Sequence, residues 1–216
     1  MPVEPWTEDE FRDVAGRGAT ELNVSIDPTV VEKCTDASFS SIGVFQELIK
    51  ETCLLSGVFE ASSEIRKVDD VKLVEQAISD KAAQYAARHQ RALESIAAGN
   101  VSSSSKEGLK PLFLPYYLVK VVLGAGYEGV ANGMRRATIQ EKIQADHHRG
   151  KDVRPSDMSN LLHNLAKLQS NKNISPPIID YDQTSKLLQI VDSTFYFFLR
   201  HAQLNEIAAE IPSPLE

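Results

Sequence analysis

Apolar residues recur at helical spacing through residues 1–60, and polar residues mark where each helix begins. Thr7, Asp27 and Ser41 each stand immediately before an apolar segment and are expected to be N-cap residues. Gly18 and Gly57 follow apolar stripes and are expected to end the first and third helices. The pattern therefore predicts a small bundle of three short helices.

A longer apolar pattern predicts a single helix over residues 69–98. Gly99 and Asn100 follow it and are typical of a helix end. Residues 101–108 contain a run of serines and have the composition of a flexible linker. We therefore expect a domain boundary at residues 101–110.

After the linker, the pattern predicts helices followed by a β-hairpin. Pro115 is expected to open one helix, and a second is expected over residues 138–145. An amphipathic helix capped by Ser156 is expected to run to Gln169, and alternating apolar residues predict a hairpin over residues 178–193. A helix that leads into a hairpin is typical of a winged helix.

These elements together predict a mainly α fold. A helical bundle and a long connecting helix are expected to precede a winged-helix domain with a β-hairpin wing. The expected domains are the bundle with the long helix at 1–100, the linker at 101–110, the winged helix at 111–205 and an acidic tail at 206–216. Such a module contacts DNA or another protein and carries no chemistry of its own.

The charged residues are unevenly distributed around a formal net charge of −7. Residues 1–109 hold 11 basic and 19 acidic side chains, whereas residues 110–205 hold 12 and 8. If nucleic acid is bound, we therefore expect it on the second half. No apolar run approaches the roughly 18 residues that a membrane span needs, so we expect a cytoplasmic chain with no membrane partner.

The predicted helix from Ser156 to Gln169 directs apolar side chains inward and polar ones to solvent. Basic residues surround this helix and the hairpin, where cations would meet phosphates while amide and imidazole groups face base edges. The residues expected to contact DNA or a partner protein are Arg135, Arg136, Arg149, Lys151, Arg154, Asn160, His163, Asn164, Lys167 and Lys186.

The pattern leaves the partner of this surface open. Winged helices serve both as double-stranded DNA readers and as protein-docking modules. Asp180 and Asp182 flank the predicted wing, where negative charge disfavours contact with phosphates. DNA, a protein and a merely solvated face remain three alternatives.

Gly124, Gly126 and Gly129 form a G-x-G-x-x-G sequence after an apolar run. A dinucleotide fingerprint must follow a strand and open a helix within a parallel sheet. The pattern predicts no parallel-sheet partners downstream, so we expect a turn at a helix end over residues 126–133. A bound nicotinamide or flavin cofactor is the alternative interpretation.

The sequence carries no recognisable catalytic or metal-binding constellation, and it has no G-x-x-x-x-G-K-[ST] loop for a nucleotide triphosphate. Cys34 and Cys53 are expected to be buried thiols rather than disulfide partners or metal ligands. His147 and His148 are expected in a solvated loop, and His89 on a helix surface. We therefore expect no cofactor, no metal and no enzymatic activity.

Four segments resemble the C-terminal half of prokaryotic AAA+ or STAND-type P-loop ATPases. Residues 3–7 resemble the strand exit after the nucleotide-binding core, and residues 11–18 resemble the first lid helix. Residues 38–48 resemble the lid segment whose helix start approaches the nucleotide. Residues 112–200 resemble the winged helix that follows the lid, so the resemblance implies a lid and effector module.

Two features depart from that family. The chain contains no nucleotide-binding core, and residues 40–45 hold no basic residue where some members carry a sensor arginine. The resemblance implies a truncated reading frame or one half of a split ATPase whose core lies on another chain. The face expected to pack on that core, or to self-associate into homo-oligomers if uncovered, consists of Ile42, Phe45, Leu48 and Ile49. The alternative is a free-standing winged-helix DNA-binding regulator.

Overall fold

The structure is a computed structural model that describes residues 6–99 and 109–215. The chain is mainly α-helical, as predicted, and divides into two compact units. Unit 1 runs to Tyr85 and unit 2 begins at Ala86. The division therefore falls within the long helix, whereas the sequence pattern places that whole helix in the first domain. Most of the predicted linker, residues 101–108, lies outside the described residues.

Unit 1 consists of helices around a two-stranded sheet. Its elements are α1 (Glu8–Leu22), β1 (Val24–Ile26), α2 (Pro28–Ala37), α3 (Ile42–Leu55), β2 (Arg66–Val68) and the first part of α4 (Val71–Ala97). The predicted N-caps are confirmed, because Thr7, Asp27 and Ser41 each accept a hydrogen bond from the first turn of their helix. The sheet is parallel, with Val24 opposite Arg66 and Ile26 opposite Val68.

The predicted end of α1 at Gly18 is wrong. The helix continues to Leu22 because Ala19 and Leu22 extend its apolar stripe, and one internal glycine does not interrupt the backbone hydrogen bonds. It ends at Asn23, whose φ of 52° places it in the left-handed conformation. The Asn23 side chain then donates to the carbonyl of Ser62 at 2.8 Å and ties this helix end to the chain before β2.

Unit 2 contains the second part of α4 and a helical layer on a three-stranded sheet. Its other elements are α5 (Leu114–Val130), β3 (Met134–Arg135), α6 (Arg136–Asp146), α7 (Pro155–His163), α8 (Leu165–Asn171), β4 (Ile179–Asp182), β5 (Leu187–Ile190), α9 (Ser193–His201) and α10 (Leu204–Glu210). The strand order is β3-β5-β4 and both pairs are antiparallel. The predicted hairpin and its turn at residues 183–186 are confirmed.

The predicted helix from Ser156 to Gln169 is two helices. Ser156 is not its N-cap; Arg154 occupies that position, and the Asp157 carboxylate accepts from the Arg154 backbone N–H at 3.0 Å. The break lies at Asn164, whose φ and ψ of −97° and 7° leave the helical region. Both pieces still bury their apolar side, with Met158 and Leu165 completely inaccessible.

Gln169 fastens α8 to the hairpin, which the sequence pattern did not predict. Its side chain is completely buried. The amide nitrogen donates to the carbonyl of Ile179 at 2.7 Å, and the amide oxygen accepts from the N–H of Ile178 at 2.9 Å. These bonds continue the strand-like pairing at the start of β4 and satisfy backbone groups of two residues that are each 1% exposed.

The end of the chain is not the acidic tail that was predicted. Residues 204–210 form α10, which packs against α5 with Ile207 and Ile211 buried. Lys120 of α5 donates to the carbonyl of Ala208 at 2.9 Å. The signal in the sequence was the spacing of three and four residues between Leu204, Ile207, Ala208 and Ile211. None of the described helices has the length and apolar character needed to cross a membrane.

Candidate functional site

The exposed side of α7 and α8 is the surface on which the sequence places its contact residues. Asn160, His163, Asn164 and Lys167 are all exposed there, as the helical pattern predicts. The Asn164 amide nitrogen, however, donates to the carbonyl of Asn160 at 2.8 Å, so one of its two donors satisfies the end of α7. The break at Asn164 also leaves only two or three turns of unbroken helix on either side.

Two of the predicted contact cations, Arg136 and Arg149, form hydrogen bonds within unit 2. Arg136 donates to the hydroxyl of Ser159 at 2.9 Å and to the carbonyl of Pro155, which joins α6 to the start of α7. Arg149 pairs with Asp152 at 2.8 Å and also donates to the carbonyl of Lys110. The Asp152 carboxylate therefore offsets the charge of Arg149, whereas Arg136 bonds only neutral oxygens through Nη1 and keeps its positive charge.

The remaining five predicted cations lie exposed around the same surface. Arg135 is next to the wing, since its partner across the sheet is Leu187 and the following N–H donates to the carbonyl of Lys186 at 3.3 Å. Lys167 lies on α8. The exposed cations of this surface are Arg135, Lys151, Arg154, Lys167 and Lys186.

Asp182 has a structural reason to stand beside the wing. Its carboxylate accepts from the N–H of Thr184 at 2.8 Å and from the hydroxyl of Ser185 at 2.5 Å, which closes the turn between β4 and β5. The Ser185 hydroxyl and then the Thr184 N–H hold the pKa of Asp182 below its ordinary value. The negative charge of Asp182 is thus bound within the turn. Asp180, on the edge strand β4, is exposed to solvent.

Of the two adjacent histidines, which were both expected in a solvated loop, His147 is buried and His148 is exposed. His147 is buried and stacks on His148 with ring centres 4.3 Å apart. Its Nδ1 accepts from the N–H of Arg149 at 2.7 Å, so its Nε2–H donates to the carbonyl of Leu112 at 2.6 Å. His148 meets the Tyr117 hydroxyl at 3.0 Å. Burial lowers the pKa of both rings.

His89 is also buried, although its arginine neighbours predicted a surface position. It packs against Phe195 and Phe198, with ring centres 5.1 and 5.3 Å away. Its Nε2 is 3.0 Å from the hydroxyl of Thr194. Burial lowers its pKa to about 4, despite the nearby carboxylate of Asp192. The position is therefore an element of the unit 2 core.

The glycine-rich sequence lies within α5 at a kink where one helix ends and another begins, so the predicted helix end is present at Gly126. Gly124 and Gly129 are helical, and only Gly126 leaves the helical region, with φ 59° and ψ −168°. The run before it is helix where a phosphate-binding turn would require a strand. The predicted turn is therefore a kink that Leu204 of α10 packs against, with its Cδ1 3.6 Å from a Cβ placed at Gly126.

Both cysteines are buried in unit 1, as predicted. Burial raises the pKa of the Cys34 thiol to about 12 and that of Cys53 in the same direction. Neither thiol is therefore activated as a nucleophile. Within residues 6–99 and 109–215, no group of three or more His, Cys, Asp or Glu side chains is arranged to hold a metal ion.

The stripe predicted to pack on an ATPase core lies mostly inside unit 1. Phe45 and Leu48 are completely buried, because Phe45 packs on Phe11 with ring centres 4.8 Å apart and both side chains belong to the unit's own core. Only Ile42 and Ile49 remain partly accessible. The predicted docking face of four residues is therefore wrong for Phe45 and Leu48, and only Ile42 and Ile49 are accessible to a partner.

Unit 1 instead has an apolar groove between α1 and α3, with a volume of about 370 Å³. We call it the α1–α3 groove. Its floor and walls include Val14, Gly18 and Leu22 of α1, Ile49 and Cys53 of α3, and Phe59 beyond α3. The sequence signal was the row of small residues along α1, which the prediction of a helix end at Gly18 concealed.

The chain was compared with protein-family models, with curated proteins and with solved structures, and no match was found. The chain thus presents two candidate interaction surfaces, the α7–α8 face with its wing and the α1–α3 groove.

Proposed function

We propose that this chain is a non-enzymatic interaction module, with a lid-like helical unit 1 and a winged helix as unit 2. Its partner is the nucleotide-binding core of a P-loop ATPase on another chain. The resemblance of residues 11–18 and 38–48 to lid segments supplies the partner class. The topology of unit 2 is the observation that carries the proposal.

The order of elements in unit 2 supports the winged-helix assignment. Helix α5 leads to the short strand β3, then α6 and the α7–α8 pair, then the hairpin of β4 and β5. The last strand lies between the other two, so β3 closes the sheet against the hairpin. This order resembles that of a helix-turn-helix followed by a wing, and we assign α7 to the place of the recognition helix.

Three features of that surface favour a protein over DNA. Arg136 and Arg149 are committed to internal bonds, and the helix that would enter the major groove breaks at Asn164. Asp180 also adds a negative charge beside the wing. A protein interface tolerates all three, because it requires shape and mixed polarity rather than a continuous cationic face.

Affinity capture of the tagged full chain from its source cells, with partners identified by mass spectrometry, tests the proposal. We expect a P-loop ATPase core among the enriched proteins. Gly43→Arg places a bulky cation at the exposed start of α3, where the nearest atom to a new Cβ is 3.9 Å away, and should abolish the enrichment. Gly16→Arg, on α1 with open space around it, is the matched control. Absence of any P-loop protein from the wild-type sample would reject the assignment.

Double-stranded DNA is the second candidate, and the five exposed cations around α7 and the wing favour it. Fluorescence anisotropy with labelled random duplex tests it at low and at physiological salt. A DNA-binding module would bind with an affinity that falls steeply with salt, and Lys167→Ala together with Lys186→Ala would reduce the slope by about 2. The exposed Lys72 of unit 1 offers a control substitution. No binding at low salt would exclude this alternative.

A further inference from the structure

We propose that the α1–α3 groove of unit 1 docks an amphipathic helix with a basic polar face, supplied by a partner protein. This deepens the proposed function, on which it rests for the existence of a protein partner, by giving the partner's chemistry. It assigns a second docking surface, on the unit that does not carry the wing.

The groove has the dimensions of a helix-binding site. Lining residues extend from Val14 to Leu22 on α1 and from Phe45 to Leu54 on α3. Each stretch is about 12–14 Å long at the rise of an α-helix, which matches the two turns over which a docked helix places its anchors at i, i+3 or i+4, and i+7. Gly18 and the two alanines on α1 keep one wall shallow, so a helix backbone can approach it.

Unit 1 also exposes large apolar side chains at the groove and in the loop before β2. Phe59 is 76% exposed and Ile65 is 70% exposed, which is unusual for large apolar side chains in a folded domain. Arg66 donates to the carbonyl of Gly57 at 2.8 Å, so the two ends of the loop that carries them are held together. A small ligand confined to the groove would cover less of the exposed Phe59 side chain than a helix that extends past it.

The charge around the groove selects a basic helix. Acidic residues stand next to the apolar ones: Glu21 precedes Leu22, Glu60 follows Phe59 and Glu64 precedes Ile65. All three are exposed, and no described ion pair neutralises them. Lys50 lines the groove wall, and Arg17, Arg66 and Lys67 are nearby cations in the sequence, but residues 1–85 as a whole hold 17 acidic and 8 basic side chains. Complementary charge would speed association and exclude acidic helices.

Two glycines of α1 provide a matched pair of variants. A Cβ added at Gly16 or at Gly18 meets no atom within 4 Å, so leucine fits at both positions and improves the helix propensity of both. Only Gly18 lines the groove. Gly18→Leu should therefore fill the binding site without unfolding the unit, and Gly16→Leu should leave the site open.

The test is fluorescence anisotropy of labelled 18-residue peptides titrated with the full chain. One peptide carries a leucine stripe and a lysine polar face, a second the same stripe with glutamate, and a third the lysine composition in scrambled order. We expect only the first peptide to bind, with an affinity that falls as the salt concentration rises. The affinity of Gly18→Leu for this peptide should be about tenfold below that of the wild-type chain, which is the effect of losing one well-packed anchor. The affinity of Gly16→Leu should equal that of the wild-type chain.

Equal binding by Gly18→Leu and Gly16→Leu, or by the lysine and glutamate peptides, would overturn the proposal. So would binding of an alkyl probe such as dodecanoate to the groove without binding of the peptide, because the occupant would then be a small amphiphile. Capture of an ATPase core can succeed when the peptide fails, so the two proposals are tested separately.

Discussion

The five histidines of the chain are all in unit 2, and the most deeply buried of them should make that unit sensitive to mild acid. His89 packs against Phe195 and Phe198, and burial lowers its pKa from 6.5 to about 4. Below pH 6.5 the unfolded chain therefore binds a proton that the folded unit does not. The contribution to stability is present in full above pH 6.5 and is lost as the pH falls towards 4.

The size of the effect follows from these two pKa values. Between pH 7 and pH 5, His89 alone should lower the free energy of unfolding of unit 2 by about 2 kcal/mol, and by about 3 kcal/mol once the pH reaches 4. His147, His148 and His201 add to the loss, because burial also lowers the pKa of each of them. Residues 1–85 contain no histidine, so unit 1 lacks this source of acid sensitivity.

Amide hydrogen exchange of the full chain, followed by mass spectrometry at pH 7 and pH 5, measures the two units separately. After correction for the intrinsic exchange rates, protection in α5 and α9 should fall much more than protection in α3. His89→Phe should remove about 2 kcal/mol of the difference in unit 2. The Thr194 hydroxyl still donates to Asp192 at 2.7 Å in that variant, so the substitution leaves this donor satisfied.

His163→Gln, at an exposed position, is the control and should behave as the wild-type chain. If His89→Phe kept the full wild-type loss of protection between pH 7 and pH 5, the buried imidazole of His89 would not be the source of the acid sensitivity of unit 2.

Three further predictions concern stability. Gln169→Leu should lower the free energy of unfolding of unit 2 by about 3 kcal/mol in urea denaturation, because it leaves the N–H of Ile178 and the carbonyl of Ile179 buried without a partner; a loss below about 1 kcal/mol would mean that other groups replace the amide. Lys186→Gly should raise stability by about 1 kcal/mol, since residue 186 has a φ of 58° that lysine adopts at a cost, and an unchanged midpoint would count against strain there. Gly16→Ala should raise the stability of unit 1 by roughly 0.5–1 kcal/mol through helix propensity, and thermal unfolding followed by circular dichroism checks the direction.

The sequence pattern predicts the fold well where local signals act alone. Thr7, Asp27 and Ser41 cap helices because their side chains reach the adjacent backbone N–H groups, and the turn at residues 183–186 follows from Asp182 and its neighbours. These interactions span only a few residues and can therefore be predicted from a single sequence.

Prediction fails where a distant part of the chain decides the outcome. His89 and His147 are polar residues in polar surroundings along the sequence, yet α9 covers the first and the start of α5 covers the second. Gln169 was expected to be an ordinary helix residue, and only the hairpin shows why a buried amide is needed.

The candidate site divides in the same way. Exposure of Asn160 and Lys167 follows from helical periodicity, but the commitment of Arg136 to Ser159 depends on how α6 meets α7. The α1–α3 groove depends on the separation of two helices that are 20 residues apart in the chain, which no local pattern specifies.

The most direct test of the proposed function is reconstitution with purified components. Light scattering after size-exclusion chromatography gives the mass of this chain mixed with the P-loop ATPase core that affinity capture identifies. We expect the wild-type chain and Gly16→Arg each to form a complex whose mass is the sum of the two proteins. Gly43→Arg should form no such complex. Separate elution of the two proteins at micromolar concentration, for the wild-type chain, would contradict the claim that this chain is a docking module for such a core.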